Sequence, residues 1–123
     1  MKVVGAIRRN TQVLWSEVVL AAGFWDRLQG LLGKPALHEE QGLLLMPCAS
    51  VHTWGMRFPL DIVFLDQEQT VLACREGVKP YGLKSCRGAW ATLEVAAGSI
   101  ARLGIAEGQR LEWISIGTKS AAA

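Results

Sequence analysis

The sequence predicts a strand-rich α+β fold: a small, mostly antiparallel, β-barrel-like domain with one or two short helices packed on it. Three observations carry this. Short apolar runs outnumber helical patterns along the chain. Hairpin turns such as Asp66-Gln-Glu-Gln69 join them. The regular strand–helix alternation that a parallel α/β sheet requires is missing. The 123 residues suit one domain, expected over residues 1–116, with a flexible small and polar tail at 117–123.

The elements follow in order. Thr11 to Ala21 is rich in Val, Leu and Trp and reads as two short strands, Gln12–Trp15 and Glu17–Ala21, with a tight turn near Ser16. Phe24, Leu28, Leu31 and Leu32 keep helical spacing, and Gly33 and Pro35 are stop signals, so a helix is expected over residues 23–32. Leu37 to Gln41 is turn-like. Gly42 to Pro47 is an apolar strand closed by proline, and Cys48 to Pro59 reads as an irregular loop. Leu60 to Leu65 is the strongest strand, and Thr70 to Arg75 returns beside it. Glu76 to Gly88 holds Pro80 and three glycines, which suits a long loop or a broken edge strand. Ala89 to Val95 is a further strand. Ala97 to Leu103 is a short helix capped by Gly104, and Gln109 to Ile116 is the last strand.

Composition excludes several classes. A hydrophobic fraction of 50% and a charged fraction of 20% exclude disorder. A net charge of +2 lacks the basic bias of a nucleic-acid binder. No apolar run approaches the ~20 residues that cross a bilayer. The apolar stretch Val3 to Ile7 ends in Arg8 and Arg9 and is too short for a secretory core, so the cytoplasm is expected. Cys48, Cys74 and Cys86 form no Cys-x-x-Cys pair and read as reduced thiols. Cys48, His52 and His38 fall short of a zinc ligand set, so no metal and no cofactor are expected.

The densest chemistry lies in Ser50-Val-His-Thr-Trp-Gly-Met-Arg-Phe-Pro-Leu-Asp61, just ahead of the strongest strand. Loops set on a rigid sheet are the usual place for binding and chemistry. Asp61 sits where both strand faces are apolar, so it must find donors or shift its pKa upward. It is either a ligand acceptor or general base, or a structural acceptor holding the loop amides of residues 50–58. His52 is either an acid/base near neutral pH or a structural hydrogen-bonding group. Glu94 shares a strand face with Thr92. The simplest expectation is that Glu94 faces water; in a closed barrel it would meet Asp61 or His52. Of the five tryptophans, Trp54 is the expected exposed ring. Arg75, Lys79, Lys84 and Arg87 form a modest anion patch or a solvated loop.

The run SVHTWGMRFPLDIVFLD resembles the signature of the domain-of-unknown-function 192 family. Gly30-Leu31-Leu32-Gly33 is similar to the family's Gly-Leu-Met motif, with Leu32 in the Met place. Leu93 to Gly98 resembles its Leu-Glu-x-x-x-Gly segment, and Gly104 to Leu111 its closing helix–Gly–strand. The resemblance spans about residues 12–116. It implies a small single-domain fold of mixed strands and helices built round a compact barrel, and it implies no established activity. Carried over by position, the motif falls on His52, Thr53, Met56, Pro59, Asp61 and Glu94. Where many members have Trp-Met, this chain has Gly55-Met56, with Trp54 one position earlier.

Three classes of function follow. The first is a small binding module that holds a polar ligand or a partner's loop, with His52, Thr53, Trp54, Met56, Arg57, Asp61 and Glu94 as candidate ligand-binding residues. The second is a hydrolase or transferase using Asp61 or Glu94 with His52 or Cys48. The third is a protein-interaction module without a pocket, using the 76–88 loop. Neither a nucleic-acid nor a membrane partner is expected.

Overall fold

The computed structural model describes residues 2–21, 37–47, 50–52, 58–79 and 83–119. The chain opens as a hairpin of β1 (Lys2–Arg9) and β2 (Gln12–Ala21), joined by Asn10 and Thr11. Asn10 takes φ 57, a left-handed conformation that two-residue hairpin turns use and asparagine tolerates. β1 was not among the expected strands. β2 is a single strand where two were expected. The expected turn near Ser16 is a β-bulge: Ile7 pairs with Trp15 and Gly5 with Val18, so β2 carries an extra residue between these pairs. Ser16 and Glu17 are exposed there, and the strand bends without breaking.

The expected helix over residues 23–32 lies outside the described residues. β3 (Gln41–Leu45) follows the turn-like segment as expected. β4 (Ser50–His52) is a correction, because the segment read as wholly irregular contains a short strand. β5 (Leu60–Leu65) keeps its expected bounds. β6 (Val71–Val78) runs beyond Arg75, and β7 (Leu83–Ser85) pairs antiparallel with β4, so residues 76–78 and 83–85 of the stretch read as a loop are strand. The reading as a broken edge strand is the nearer one. β8 (Ala91–Ala96) leads into α1 (Ser99–Leu103), which Gly104 closes in a left-handed conformation. β9 (Glu112–Lys119) continues past the boundary expected at Ile116. Gly117, Thr118 and Lys119 pair with Val4, Val3 and Lys2, so the start of the expected flexible tail is strand.

Seven strands form one sheet in the order β6-β5-β8-β3-β2-β1-β9, and β4 and β7 form a separate pair. Only β2 and β3 run parallel within the described sheet. The two chain-terminal strands are therefore neighbours, while the centre is built from β5, β8 and β3.

The sheet is not closed into a barrel, which corrects the barrel-like expectation. Its two outer strands meet at one place, the bridge Thr70↔Arg110. Val71 donates to the Gln109 carbonyl and Leu111 to the Gln69 carbonyl, both within 2.9 Å. Two residues on, the Trp113 amide instead donates to the side-chain oxygen of Gln69. That side chain occupies the place of a ladder acceptor, and the pairing stops.

Alternation sorts the side chains onto two faces. One face collects Leu44, Val63, Leu93, Val95, Trp15 and Ile7, with Ile100 and Ile105 from the α1 region. The other collects Leu43, Leu45, Leu60, Ile62 and Phe64, with Val78. β5 is buried at every position because both faces are covered.

Candidate functional site

Asp61 is fully buried on the first face, beside Val95 across the strand pair. Its donors come from two backbone irregularities. Between Leu60↔Val78 and Ile62↔Arg75, β6 carries an extra residue, and Gly77 takes φ 58. Glycine suits this left-handed conformation because a Cβ would be strained in it. The bulge releases the Gly77 amide from the ladder, and it donates to Asp61 Oδ1 at 2.9 Å. Gly98, at the N-cap of α1, has no side chain to cap the helix. Asp61 Oδ2 takes over that function, accepting from the Gly98 amide at 3.1 Å and the Ile100 amide at 2.9 Å. Asp61 thus ties β6 and α1 to β5. The structural expectation for Asp61 finds donors among the described residues in Gly77, Gly98 and Ile100, while most of the loop amides expected to serve it, those of residues 53–57, lie outside the described residues.

Glu94 takes the opposite face. It pairs with Ile62 on β5 and Leu43 on β3, and both neighbours belong to the second apolar cluster. Only 6% of Glu94 is exposed, so the expectation that it faces water is corrected. The cause is its strand: β8 lies between β5 and β3 and is buried from Ala91 to Val95. Loss of solvent pushes its carboxyl up to about 7. Burial of the charged form does this without help from a neighbouring charge. Thr92, fully buried, shares the face two residues away.

The geometry separates the two acids. Residues directly opposite across a strand pair share a face, and Asp61 stands opposite Val95 while Glu94 stands opposite Ile62. Their side chains leave the sheet on opposite sides, so a shared acid/base pair of Asp61 and Glu94 is overturned.

His52 is the last residue of β4, its backbone paired with Leu83 of β7. Thr53, Trp54, Met56 and Arg57 lie outside the described residues, as does Cys48. The segments flanking this small sheet reach the Glu94 face: Phe58, after β4, and Cys86, after β7, both pack on the second cluster. Among the described tryptophans Trp90 is the exposed one, at 40%, whereas Trp15 is fully buried. Cys74 and Cys86 are free thiols. Burial pushes the Cys74 thiol up, with the charges of Glu107 and Glu76 adding to it. Cys74 is therefore a poor nucleophile. The basic side chains Arg75, Lys79 and Arg87 are exposed, while Lys84 is half-buried on β7.

Sequence reasoning placed Glu94 and Thr92 on one face and missed that this face is covered. The signal was present in Leu93 and Val95, whose apolar character marks a central strand only if Glu94 is also allowed inside.

No helix among the described residues is long and apolar enough to cross a membrane. No curated protein matches the sequence. Two solved structures share its fold. A protein of unknown function from Novosphingobium aromaticivorans is 27% identical, with a TM-score of 0.74 over 91% of this chain and 83% of that one. A Sinorhizobium meliloti protein, described as a candidate transcription regulator, is 24% identical, with a TM-score of 0.78 over 92% of this chain and 94% of that one. At that identity the second likeness bears on the fold alone. The profile of the DUF192 family, described as "Uncharacterized ACR", matches residues 6–113, and the chain belongs to this family.

Proposed function

We propose that the protein is a small binding module that takes a polar ligand, or a loop of a partner protein, on the Glu94 face of its sheet. One observation carries this reading. Glu94 is a buried carboxyl poised near neutrality, set among Leu43 and Ile62 with no charged neighbour responsible for its shift. A group kept at such cost to the fold is a candidate for binding or chemistry. The motif residues His52, Thr53, Trp54, Met56 and Arg57 are proposed to complete the site; the packing of Phe58 and Cys86 on the second cluster supports this. Asp61 supports the site from behind: it fixes β5, the strand next to Glu94, while facing away from it.

A second reading draws on the same carboxyl. An acid with a value near 7 suits general acid/base work, with Glu94 as the acid or base and His52 or Cys48 as its partner. In that case Cys48 alkylates much faster than Cys74, and the rate falls in Glu94→Gln. The cytoplasm is the proposed location, in keeping with the free thiols of Cys74 and Cys86. The single domain expected over residues 1–116 is proposed to extend to the end of β9 at Lys119, since β1 and β9 lie side by side in its sheet.

The test is a fragment screen of small polar molecules followed by amide NMR. Binding on this face gives saturable shifts at Leu43, Ile62 and Glu94, weakened at least tenfold in Glu94→Gln. Shifts that ignore the substitution, or that cluster only on the 76–88 segment, overturn the reading in favour of the interaction module.

A further inference from the structure

The first face of the sheet ends in a cavity that the Glu94 site does not use. It has a volume of about 250 Å³ and lies where β3 and β5 end and β8 and β9 begin. Its floor is apolar, formed by Ile7, Leu44, Leu65, Ala91 and Leu111. Two indoles wall it, Trp90 and Trp113. Trp90 is 40% exposed at the mouth, although its amide is fixed to the Leu65 carbonyl at 2.8 Å. α1, held by Asp61, lies at the other end of β5 and β8.

The rim is polar and comes from the β5–β6 turn. Asp66 Oδ1 accepts from the Glu68 and Thr70 amides, each at 2.9 Å, which shapes the turn and leaves Oδ2 available. Gln69 Oε1 accepts from the Trp113 amide at 2.6 Å, and that bond aims its amide nitrogen as a remaining donor. Gln67 is exposed and carries a full amide. Asp66 is the one acidic residue among the lining residues, and no Lys or Arg is among them.

We infer that this cavity is a second binding site, for a planar aromatic molecule of about bicyclic size that is neutral or cationic. Size sets the upper bound: an apolar cavity of about 150 Å³ accepts benzene, and this one is larger by roughly one fused ring. Trp90 and Trp113 supply ring faces for stacking and for cation–π contact. Gln67 and Gln69 hydrogen-bond a heteroatom on the ligand edge. The carboxylate of Asp66 attracts a cation and repels an anion.

Three bicyclic probes test this: quinoline, N-methylquinolinium and 2-naphthoate, titrated against protein labelled at Ile, Leu, Met and Ala methyl groups. Quinoline and N-methylquinolinium give saturable shifts at Ile7, Leu44 and Ala91, with Kd of ~1 mM or tighter, and 2-naphthoate binds at least tenfold more weakly. Ala91→Leu, which fills the floor, abolishes the shifts. Trp90→Ala, at the exposed mouth where folding is safe, weakens binding at least fivefold. Glu94→Gln leaves it unchanged, which separates this site from the one on the opposite face. The inference is overturned if no probe saturates these methyls, if 2-naphthoate binds as well as the cation, or if binding survives both cavity substitutions. It is also overturned if binding is lost in Glu94→Gln.

Discussion

At the scale of residues, two buried acids do opposite work. Asp61 accepts three backbone amides across two oxygens. In Asp61→Asn one oxygen becomes an NH2 group facing amide donors, so bonds are lost and a buried donor is left unpaired. Hydrogen bonds to charged groups contribute about 1.5–3 kcal/mol each, and partial rearrangement offsets some of the loss. Urea unfolding of Asp61→Asn therefore shows a loss of about 2–4 kcal/mol, with α1 losing hydrogen-exchange protection first. Glu94 acts in the reverse sense. Its carboxyl is raised in the folded state from an ordinary 4.5 to about 7. Below pH 4.5 it is neutral in both states and costs nothing. As pH rises from 4.5 to 7 the unfolded chain releases the proton before the folded one, so stability falls across that window and then levels off. The full effect is on the order of 3 kcal/mol. Glu94→Gln removes this slope, and above pH 7 the variant is the more stable protein in urea unfolding.

At the scale of elements, bulges do what turns were expected to do. The turn near Ser16 was read from polar residues beside apolar runs, and the loop after Arg75 from Pro80 and three glycines; Gly77 and its neighbour Glu76 stand at the second bulge. In the structure Ser16 and Gly77 sit in bulges, which expose a polar side chain or free an amide while the strand continues. The single sequence does not separate a bulge from a turn, since both favour polar residues and glycine. β5, the hairpin turn at Asp66 and the helix capped by Gly104 were legible because their signals are local: an apolar run, an aspartate bonding its own turn, and a glycine after a helical pattern. β1 was less legible because the short apolar run Val3-Val4-Gly5-Ala6-Ile7 suits the core of a leader as well as a strand. Gly5 itself marks a close approach of two strands. A methyl group there would collide with the Ile114 carbonyl oxygen and the Trp113 ring. Gly5→Ala therefore costs about 1–3 kcal/mol in urea unfolding, with amide shifts concentrated along β9.

At the scale of the whole molecule, the strand-rich class was legible and the closure was not. Closure depends on what the two outer strands do, and no local pattern reports that Gln69 ends the pairing between them. For the same reason the separation of Asp61 from Glu94 was hidden. It follows from the register Ile62↔Glu94, a contact between strands about thirty residues apart. The motif loop carrying His52 was legible as chemistry, and of its surroundings Phe58 and Cys86 pack on the second cluster. The sheet order also sets a gradient of stability. β5, β8 and β3 lie inside the sheet, and the far half of β9 is an outer edge with Ile116 69% exposed. Native-state hydrogen exchange is slowest at Val63, Leu93 and Leu44 and fastest along residues 115–119. Equal protection of the two regions would contradict the edge position of β9.

The measurement that bears most directly on this account is the titration of the Glu94 carboxyl carbon by 13C NMR in the folded protein. The expected midpoint is near 7, set by burial on the second face. A ligand that binds its ionised form lowers that midpoint, and one that binds its protonated form raises it. A midpoint near the ordinary 4.5 would mean that water or a cation reaches Glu94, and the binding face proposed here would lose its central residue.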